Sequence, residues 1–228
     1  MRSDFLKYIV LNHKMNLYYE ELLDYIAKIN KIDKNIIIAP SSIYLLEFLK
    51  KTHHKISSQD ICYIDEGNYT GKVSWKQVKH LGIKYSLIGH SEKHDDVDKV
   101  NAKLKVCLEN KITPILCFGN KTKQDNIIDI LNKIKIDNID KIILAYEPTF
   151  NISNNNIDIE YIKEQINKIY DYLINKYHKE PNIIYGGGIT EENINEIYNI
   201  DKLKGILIGS LYSDINKITK LLLKINEK

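Results

Sequence analysis

Three side chains suited to proton transfer each follow a short apolar run of the sequence: Glu147, His90 and Lys14. A carboxylate at the end of a buried strand loses part of its hydration, which raises its pKa toward that of a useful base. An imidazole can hydrogen-bond a substrate carbonyl, and a lysine can offset the negative charge that develops there. Together these groups suit proton abstraction next to a carbonyl, a reaction that requires no metal or redox group.

Two glycine-containing turns could hold an anion near these side chains. Gly186-Gly187-Gly188 follows one apolar run, and Gly209-Ser210 follows the next. Backbone N–H groups approach an anion closely where no Cβ intervenes, and a following helix N-terminus adds positive potential. Glycines after strands often serve only to turn the chain, but the pair of turns favours a phosphorylated substrate.

Each of these residues also has a plainer interpretation. Glu147 alone could be a surface glutamate, and His90 a packed or solvated histidine. The remaining histidines are expected to be packed or solvated and to have no catalytic role; they are His13, His53, His54, His80, His94 and His178. Their spacing and that of the cysteines predict no metal site, and neither Ser91 nor Ser210 lies in a G-x-S-x-G nucleophile turn.

The elements that would position these groups alternate along the chain. Apolar runs typical of strands covered on both faces lie at 8–11, 36–39, 61–63, 85–88, 115–118, 142–146, 183–185 and 206–208. Amphipathic stretches typical of helices lie at 18–29, 43–51, 74–80, 97–109, 127–136, 159–177, 192–199 and 215–225. This alternation predicts the α/β class and a single (β/α)8 barrel domain over residues 1–228, with a doubly wound open sheet as the alternative. In such a barrel the active site forms where the strands end.

Composition narrows the class of protein. The 228 residues are 43% hydrophobic and 28% charged, with a net charge of +3, which does not favour nucleic acid or an anionic membrane as partner. The three cysteines, Cys62, Cys107 and Cys117, are expected to be free thiols in a reducing compartment. No signal peptide or membrane span is expected, so the predicted location is cytoplasmic.

The residues at the strand ends resemble the triosephosphate isomerase family over essentially the whole chain. Seven motifs occur in family order: N-H-K-M-N at 12–16, Y-T-G-K-V-S at 69–74, I-G-H-S-E at 88–92, C-F-G at 117–119, A-Y-E-P at 145–148, Y-G-G at 185–187 and L-I-G at 207–209. The resemblance implies a TIM barrel that interconverts dihydroxyacetone phosphate and glyceraldehyde 3-phosphate through an enediolate, without a cofactor. It places the chain in glycolysis, gluconeogenesis and pentose phosphate metabolism.

The resemblance also implies roles for single residues, which belong to the family's established mechanism and do not follow from spacing. Glu147 would be the base, and His90 would polarise the carbonyl as a neutral imidazole. Lys14 would offset negative charge, and Asn12 would hydrogen-bond the same oxygen region. Glu92 would be a buried neighbour aligned against Lys14 or His90.

The phosphate and the lid follow from the same resemblance. Backbone N–H groups of Ser153, Gly188, Gly209 and Ser210 would hold the phosphate, with Asn12 and Lys14 also contacting the substrate. Residues 149–155 would form a lid that prevents the enediolate from eliminating phosphate.

Several residues depart from the family pattern. His13 and Lys93 stand where tryptophan and arginine are usual, and Phe150 and Asn120 replace a lid tryptophan and an acid. Ser153 and Asn155 replace lid glycines, and Gly188 replaces a serine that ties down the closed lid. These departures predict an active enzyme with a less firmly latched lid.

The motif at 69–74 resembles a family loop that projects into a partner subunit, with Thr70 reaching the neighbouring active site. A homodimer is therefore expected, although some shorter members of the family are tetramers. Two other functions remain open: a decayed barrel that acts as a binding or scaffold protein, and a different phosphate-binding barrel enzyme. A decayed barrel does not account for the retained site residues, which are Asn12, Lys14, His90, Glu92 and Glu147. A different barrel enzyme does not explain why Lys14, His90 and Glu147 follow strands one, four and six.

Overall fold

A closed barrel of eight parallel strands forms the centre of the computed structural model, which describes residues 7–152, 157–209 and 214–225. Each strand pairs with the next in the chain, and the last pairs with the first. The strands are β1 (Tyr8–Asn12), β2 (Ile36–Ala39), β3 (Lys55–Ser58), β4 (Tyr85–Ile88), β5 (Thr113–Phe118), β6 (Ile143–Tyr146), β7 (Asn182–Gly186) and β8 (Leu203–Ile208). The (β/α)8 prediction is confirmed, and the open doubly wound sheet is excluded.

Helices follow the strands and form the outer layer. In the described ranges they are α1 (Tyr19–Ile29), α2 (Leu45–Lys51), α3 (Trp75–His80), α4 (Val97–Glu109), α5 (Ile127–Asn132), α6 (Thr149–Ile152), α7 (Ile159–Tyr177), α8 (Ile194–Tyr198) and α9 (Ile215–Lys224). The side chains of Asp96 and Asp158 accept hydrogen bonds from backbone N–H groups in the first turns of α4 and α7. These N-caps satisfy donors that have no partner within the helix.

Two apolar layers bury both faces of the strands. Alternate strand residues such as Val10, Ile37 and Leu207 fill the barrel interior, and their neighbours such as Ile9, Ile36 and Ile206 pack against the helices. Successive side chains of a strand point to opposite faces, so burial on both faces gives the near-continuous apolar runs seen in the sequence.

The position of the third strand differs from the sequence prediction. Residues 61–63 were expected to form it, but β3 is Lys55–Ser58. Ser57 and Ser58 are fully buried in the barrel, where the Ser58 hydroxyl donates to Oγ of Ser86 at 2.8 Å. A strand whose polar groups are satisfied in this way lacks the apolar signal. Cys62 instead forms an isolated bridge with Ser74.

No helix in the described ranges is long and apolar enough to cross a bilayer.

Candidate active site

The first strand ends on two of the predicted residues. Asn12 is the last residue of β1 and is 3% exposed, and its side-chain Oδ1 accepts the backbone N–H of Lys14 at 3.1 Å. Lys14 adopts a left-handed backbone conformation with φ of +50°. An asparagine side chain that bonds to the backbone two residues on stabilises such a turn. The turn places the lysine at the carboxyl end of the barrel.

Lys14 is directed across the barrel toward the loops after β4 and β8. Its Nζ lies 2.6 Å from Oε1 of Glu92. Its Cε lies so close to Gly209 that a Cβ there would approach it to 3.1 Å. The absence of a side chain on Gly209 therefore leaves room for the lysine.

The pairing of Glu92 agrees with the sequence prediction, but its exposure does not. It does pair with Lys14, but its side chain is 58% exposed and not buried, because it lies on the 3₁₀ turn Ser91–Lys93 at the rim of the barrel. Partial burial acts to raise the pKa of Glu92, but the hydrogen bond from Lys14 and the positive charge of that lysine outweigh it and lower the pKa. The carboxylate is thus held in its charged form beside the lysine.

His90 is fixed in one orientation by the same turn. It is 6% exposed, and its Nδ1 accepts the backbone N–H of Glu92 at 3.3 Å. A ring nitrogen that accepts a hydrogen bond carries no proton, so this contact assigns the proton of the neutral imidazole to Nε2. Nε2 lies 3.9 Å from Oε2 of Glu147. That separation is too long for a hydrogen bond, so donor and acceptor both remain available to a substrate.

Glu147 occupies a space made by two glycines. Its backbone N–H donates to the carbonyl of Phe118 at 2.8 Å, and its side chain is 11% exposed. A Cβ on Gly119 would lie 2.1 Å from the Glu147 carbonyl oxygen, and one on Gly186 would lie 2.9 Å from its Cγ. Oε1 of Glu147 is buried, and no described group donates a hydrogen bond to it. The carboxylate is therefore confined and partly dehydrated.

The thiol of Cys117 lies in the barrel near this carboxylate. Burial, together with the negative charge of Glu147, raises the pKa of Cys117. The neutral thiol adds no charge to the pocket.

The predicted anion-binding turns line a cavity with Lys14 and Glu147. Gly187 and Gly188 have φ of +126° and +56°, and together with Gly209 they border a space of about 40 Å³. The side chain of Asn193 ties this turn together, since it donates to the Gly188 carbonyl at 2.8 Å and accepts from the Thr190 N–H at 2.8 Å.

Two of the predicted phosphate contacts, Ser153 and Ser210, lie outside the described residues. A larger groove of about 840 Å³ between α1 and α9 contains none of the predicted site residues. The small cavity is the better candidate because the titratable groups converge there.

The segment after Glu147 begins with α6, which the sequence analysis did not predict as a helix. Asn120 is buried beneath it and accepts hydrogen bonds from the Tyr146 hydroxyl through Oδ1 at 3.0 Å and from the Thr149 N–H through its carbonyl at 2.9 Å. Phe150 packs edge-on against Tyr161 at a centroid distance of 5.7 Å. Asn120 therefore bonds to Tyr146 and Thr149, whereas Phe150 packs on Tyr161.

The predicted dimer loop projects from the barrel between β3 and α3. Thr70 lies exposed in its turn, and Gly71 follows with φ of +80° and open space around it. At the base of the loop, Nε1 of Trp75 donates to Oδ1 of Asp65 at 2.9 Å.

Ion pairs around the buried Lys103 connect the loops that follow β3 and β4. Lys103 on α4 lies 2.6 Å from Asp60 and 2.5 Å from Asp95, and Lys93 pairs with Asp60 at 3.1 Å. Burial acts to lower the pKa of Lys103, but hydrogen bonds from its amine to both carboxylates outweigh it and raise the pKa. These contacts fix the turn that carries His90.

Gln59, which no sequence motif indicates, also contacts the site through its side chain. Its Nε2 donates to the carbonyls of Lys14 at 2.7 Å and Ala39 at 3.0 Å. Because it recognises backbone atoms of distant segments, its position in the sequence gives no signal. Across the described residues there is no group of three or more His, Cys, Asp or Glu side chains placed to hold a metal.

Comparison with known proteins assigns the family. The family model for triosephosphate isomerase matches residues 7–225. A protein of Ureaplasma parvum named triosephosphate isomerase is 31% identical over 234 residues, which cover 95% of this chain and 98% of that protein. Proteins of the same name from Orientia tsutsugamushi and Thermodesulfovibrio yellowstonii are 30% and 31% identical over 94% of this chain, and the matches cover 96% and 98% of their own lengths. The chain belongs to the triosephosphate isomerase family.

Proposed function

We propose that this chain is a triosephosphate isomerase, which interconverts dihydroxyacetone phosphate and D-glyceraldehyde 3-phosphate by proton transfer through an enediolate. Its family and the names of its relatives support this function. The observation that carries the proposal is the arrangement of Glu147 and His90, whose Oε2 and Nε2 atoms face each other at 3.9 Å in a confined pocket.

Glu147 is the proposed base. It takes the proton from the carbon next to the carbonyl, the electron pair of that C–H bond forms the enediolate double bond, and the carbonyl oxygen takes up negative charge. A proton moves from the enediolate hydroxyl to the negatively charged oxygen, and the carbon that loses its hydroxyl proton becomes the new carbonyl. Glu147 gives its proton to the neighbouring carbon, so that the carboxylate is regenerated. Because Gly119 and Gly186 confine the carboxylate, it is already positioned for proton transfer when substrate binds.

His90 and Asn12 are proposed to stabilise the enediolate oxygens. The neutral imidazole donates through Nε2–H, because Nδ1 is occupied by the Glu92 N–H. Asn12 uses Oδ1 to hold Lys14, which leaves its Nδ2 as the group that donates to substrate. Donors that are already oriented need no reorganisation when charge develops on the substrate.

Lys14 and the glycine turns are proposed to hold the phosphate. The lysine supplies positive charge, and backbone N–H groups of Gly188 and Gly209 supply hydrogen bonds, joined by those of Ser153 and Ser210. Glu92 is proposed to keep Lys14 in place through the 2.6 Å ion pair. The proposed reaction uses no cofactor.

A coupled assay with glyceraldehyde 3-phosphate tests the function. We expect turnover in both directions, and in deuterium oxide the product should carry solvent deuterium at the carbon that receives the proton. Absence of activity even at high enzyme concentration would favour a scaffold or binding protein. Activity only on another phosphorylated substrate would favour a different phosphate-binding enzyme.

We further propose that the chain is one domain, is cytoplasmic and forms a homodimer through the loop that carries Thr70. Large apolar side chains are exposed beside the site, including Met15 at 92%, Tyr18 at 77% and Ile43 at 77%. Exposed apolar surface of this kind is typical of a protein interface. Analytical ultracentrifugation at micromolar concentration should give twice the chain mass, and a monomer would overturn the dimer.

The lid is proposed to be latched less firmly than in the family pattern, owing to Phe150, Asn120 and Gly188. Release of inorganic phosphate from substrate during turnover would measure the leak of the enediolate. A release no greater than that of an enzyme with the usual lid residues would contradict this proposal.

A further inference from the structure

The residue between Asn12 and Lys14 faces away from the active site. His13 is 1% exposed and lies in the layer between the barrel and the helices. Its ring packs edge-on against Tyr25 of α1 and Phe48 of α2, with centroid distances of 4.7 Å and 5.4 Å. Its Nε2 lies 3.0 Å from the Tyr25 hydroxyl, within hydrogen-bond distance.

The loop that His13 begins has an uncommon backbone. Lys14 and Leu17 both have left-handed conformations, with φ of +50° and +69°, although neither is glycine. Such conformations cost energy and persist only where the surrounding structure holds them. The conformation of the segment between β1 and α1 therefore depends on its contacts with the surrounding structure.

His13 is held through both its backbone and its ring. Its backbone N–H donates to the Ala39 carbonyl at 3.0 Å, its carbonyl accepts Nδ2 of Asn16 at 3.1 Å, and its ring contacts Tyr25. The first two contacts connect the backbone to β2 and to the loop itself. The ring contact connects the start of the loop to the helix α1 that follows it.

We infer that His13 is a positioning residue, whose hydrogen bond to Tyr25 fixes the segment between β1 and α1 so that Lys14 reaches Glu92 and the Gly209 turn. This inference rests on the proposed function, because it takes Lys14 to bind the substrate phosphate. An apolar side chain of similar size would fill the space but would leave the buried Tyr25 hydroxyl without this partner. Burial lowers the pKa of His13 to about 3, so the ring is neutral near neutral pH and the contact is between neutral groups.

The test removes one oxygen atom and leaves the rings in place. In Tyr25→Phe we expect the KM for glyceraldehyde 3-phosphate and the Kd for inorganic phosphate to rise together by about 3- to 10-fold. The matched control is Ile169→Val in α7, a fully buried residue on another helix. The control should lower the melting temperature without changing KM or Kd.

A second variant separates the hydrogen bond from packing. In the double variant His13→Leu, Tyr25→Phe, both polar partners are gone, so stability should recover relative to Tyr25→Phe. The inference predicts that KM and the phosphate Kd stay raised. A return of both constants to the wild-type values would overturn it, because packing alone would then position the lysine.

Phosphate affinity distinguishes failure of this inference from failure of the proposed function. Calorimetric titration of inorganic phosphate requires no turnover, so Lys14 placement is tested even if the wild type does not isomerise triose phosphates. Unchanged phosphate affinity in Tyr25→Phe, with a fall in melting temperature like that of the control, would show that His13 has only a structural role.

Discussion

The side chain of Glu147 fills the space that a side chain on Gly186 would need. A Cβ on Gly186 would lie 2.9 Å from Cγ and 3.1 Å from Oε2 of Glu147. The end of β7 therefore determines where the carboxylate after β6 lies. The same carboxylate oxygen is the one that faces His90.

Gly186→Ala should displace the carboxylate and lower kcat by about 10- to 100-fold, because a misplacement of about 1 Å is enough to cost that much. The matched control is Gly82→Ala, where φ of +81° makes the substitution strained but the surrounding space is open. The control should lose stability and keep its kcat. Equal kcat values for Gly186→Ala and the wild type would show that the contact does not position Glu147.

Lys14→Met should weaken phosphate binding, since it removes the positive charge that lines the cavity with Gly188 and Gly209. Loss of a hydrogen bond to a charged group predicts a rise in KM of about 10- to 100-fold. Lys168→Met removes an equally charged residue that pairs with Glu164 on the surface of α7 and should leave KM unchanged. Steady-state kinetics with both variants checks this, and a similar KM for the two would contradict the role of Lys14.

Stability should fall in mild acid because of His13. Burial lowers its pKa from 6.5 to about 3, so between these values the unfolded chain binds more protons than the folded one. The stabilisation from the neutral ring is complete above pH 6.5 and is lost as the pH falls toward 3. From pH 7 to pH 5 the wild type should lose about 2 kcal/mol more free energy of unfolding than His13→Phe.

Urea unfolding at several pH values, with one protein concentration throughout, measures this difference. The other titrating groups are common to both proteins and cancel. Parallel pH profiles for the wild type and His13→Phe would show that His13 is not held neutral by burial.

Alkylation of the native protein should distinguish the cysteines. Cys107 and Cys117 are buried, and burial raises the pKa of Cys107 to about 12, whereas Cys62 is half-buried. Because the thiolate is the reactive form, iodoacetamide at pH 8 should label Cys62 first. Peptide mass spectrometry reads out the order, and rapid labelling of Cys117 would indicate that the barrel opens to reagent.

Much of the fold could be predicted because most strands are buried on both faces. The runs that became β2 and β6 were found within one residue, and α4 and α7 were found with their boundaries. The third strand was missed because two of its three buried positions are serines: the Ser57 hydroxyl donates to the Ser58 carbonyl, and the Ser58 hydroxyl donates to Oγ of Ser86. Side-chain hydrogen bonds inside a barrel leave no periodic apolar signal.

The site was predictable where a residue directly follows a strand. The structure brings Glu147, His90 and Lys14 to one end of the barrel, as their positions indicated. The exposure of Glu92 was predicted wrongly, because it depends on how a 3₁₀ turn meets the rim and not on residue type. His13 is packed, as the sequence analysis expected. Its contact with Tyr25 could not be predicted, because it joins a loop to a helix across a turn that no local pattern encodes.

The central claim is that Glu147 moves the proton between the two substrate carbons, and Glu147→Gln tests it most directly. Glutamine keeps the size of the side chain and removes the base, so kcat/KM in the coupled assay should fall by about 100- to 10,000-fold, with the melting temperature close to that of the wild type. A kcat/KM equal to that of the wild type would contradict the claim.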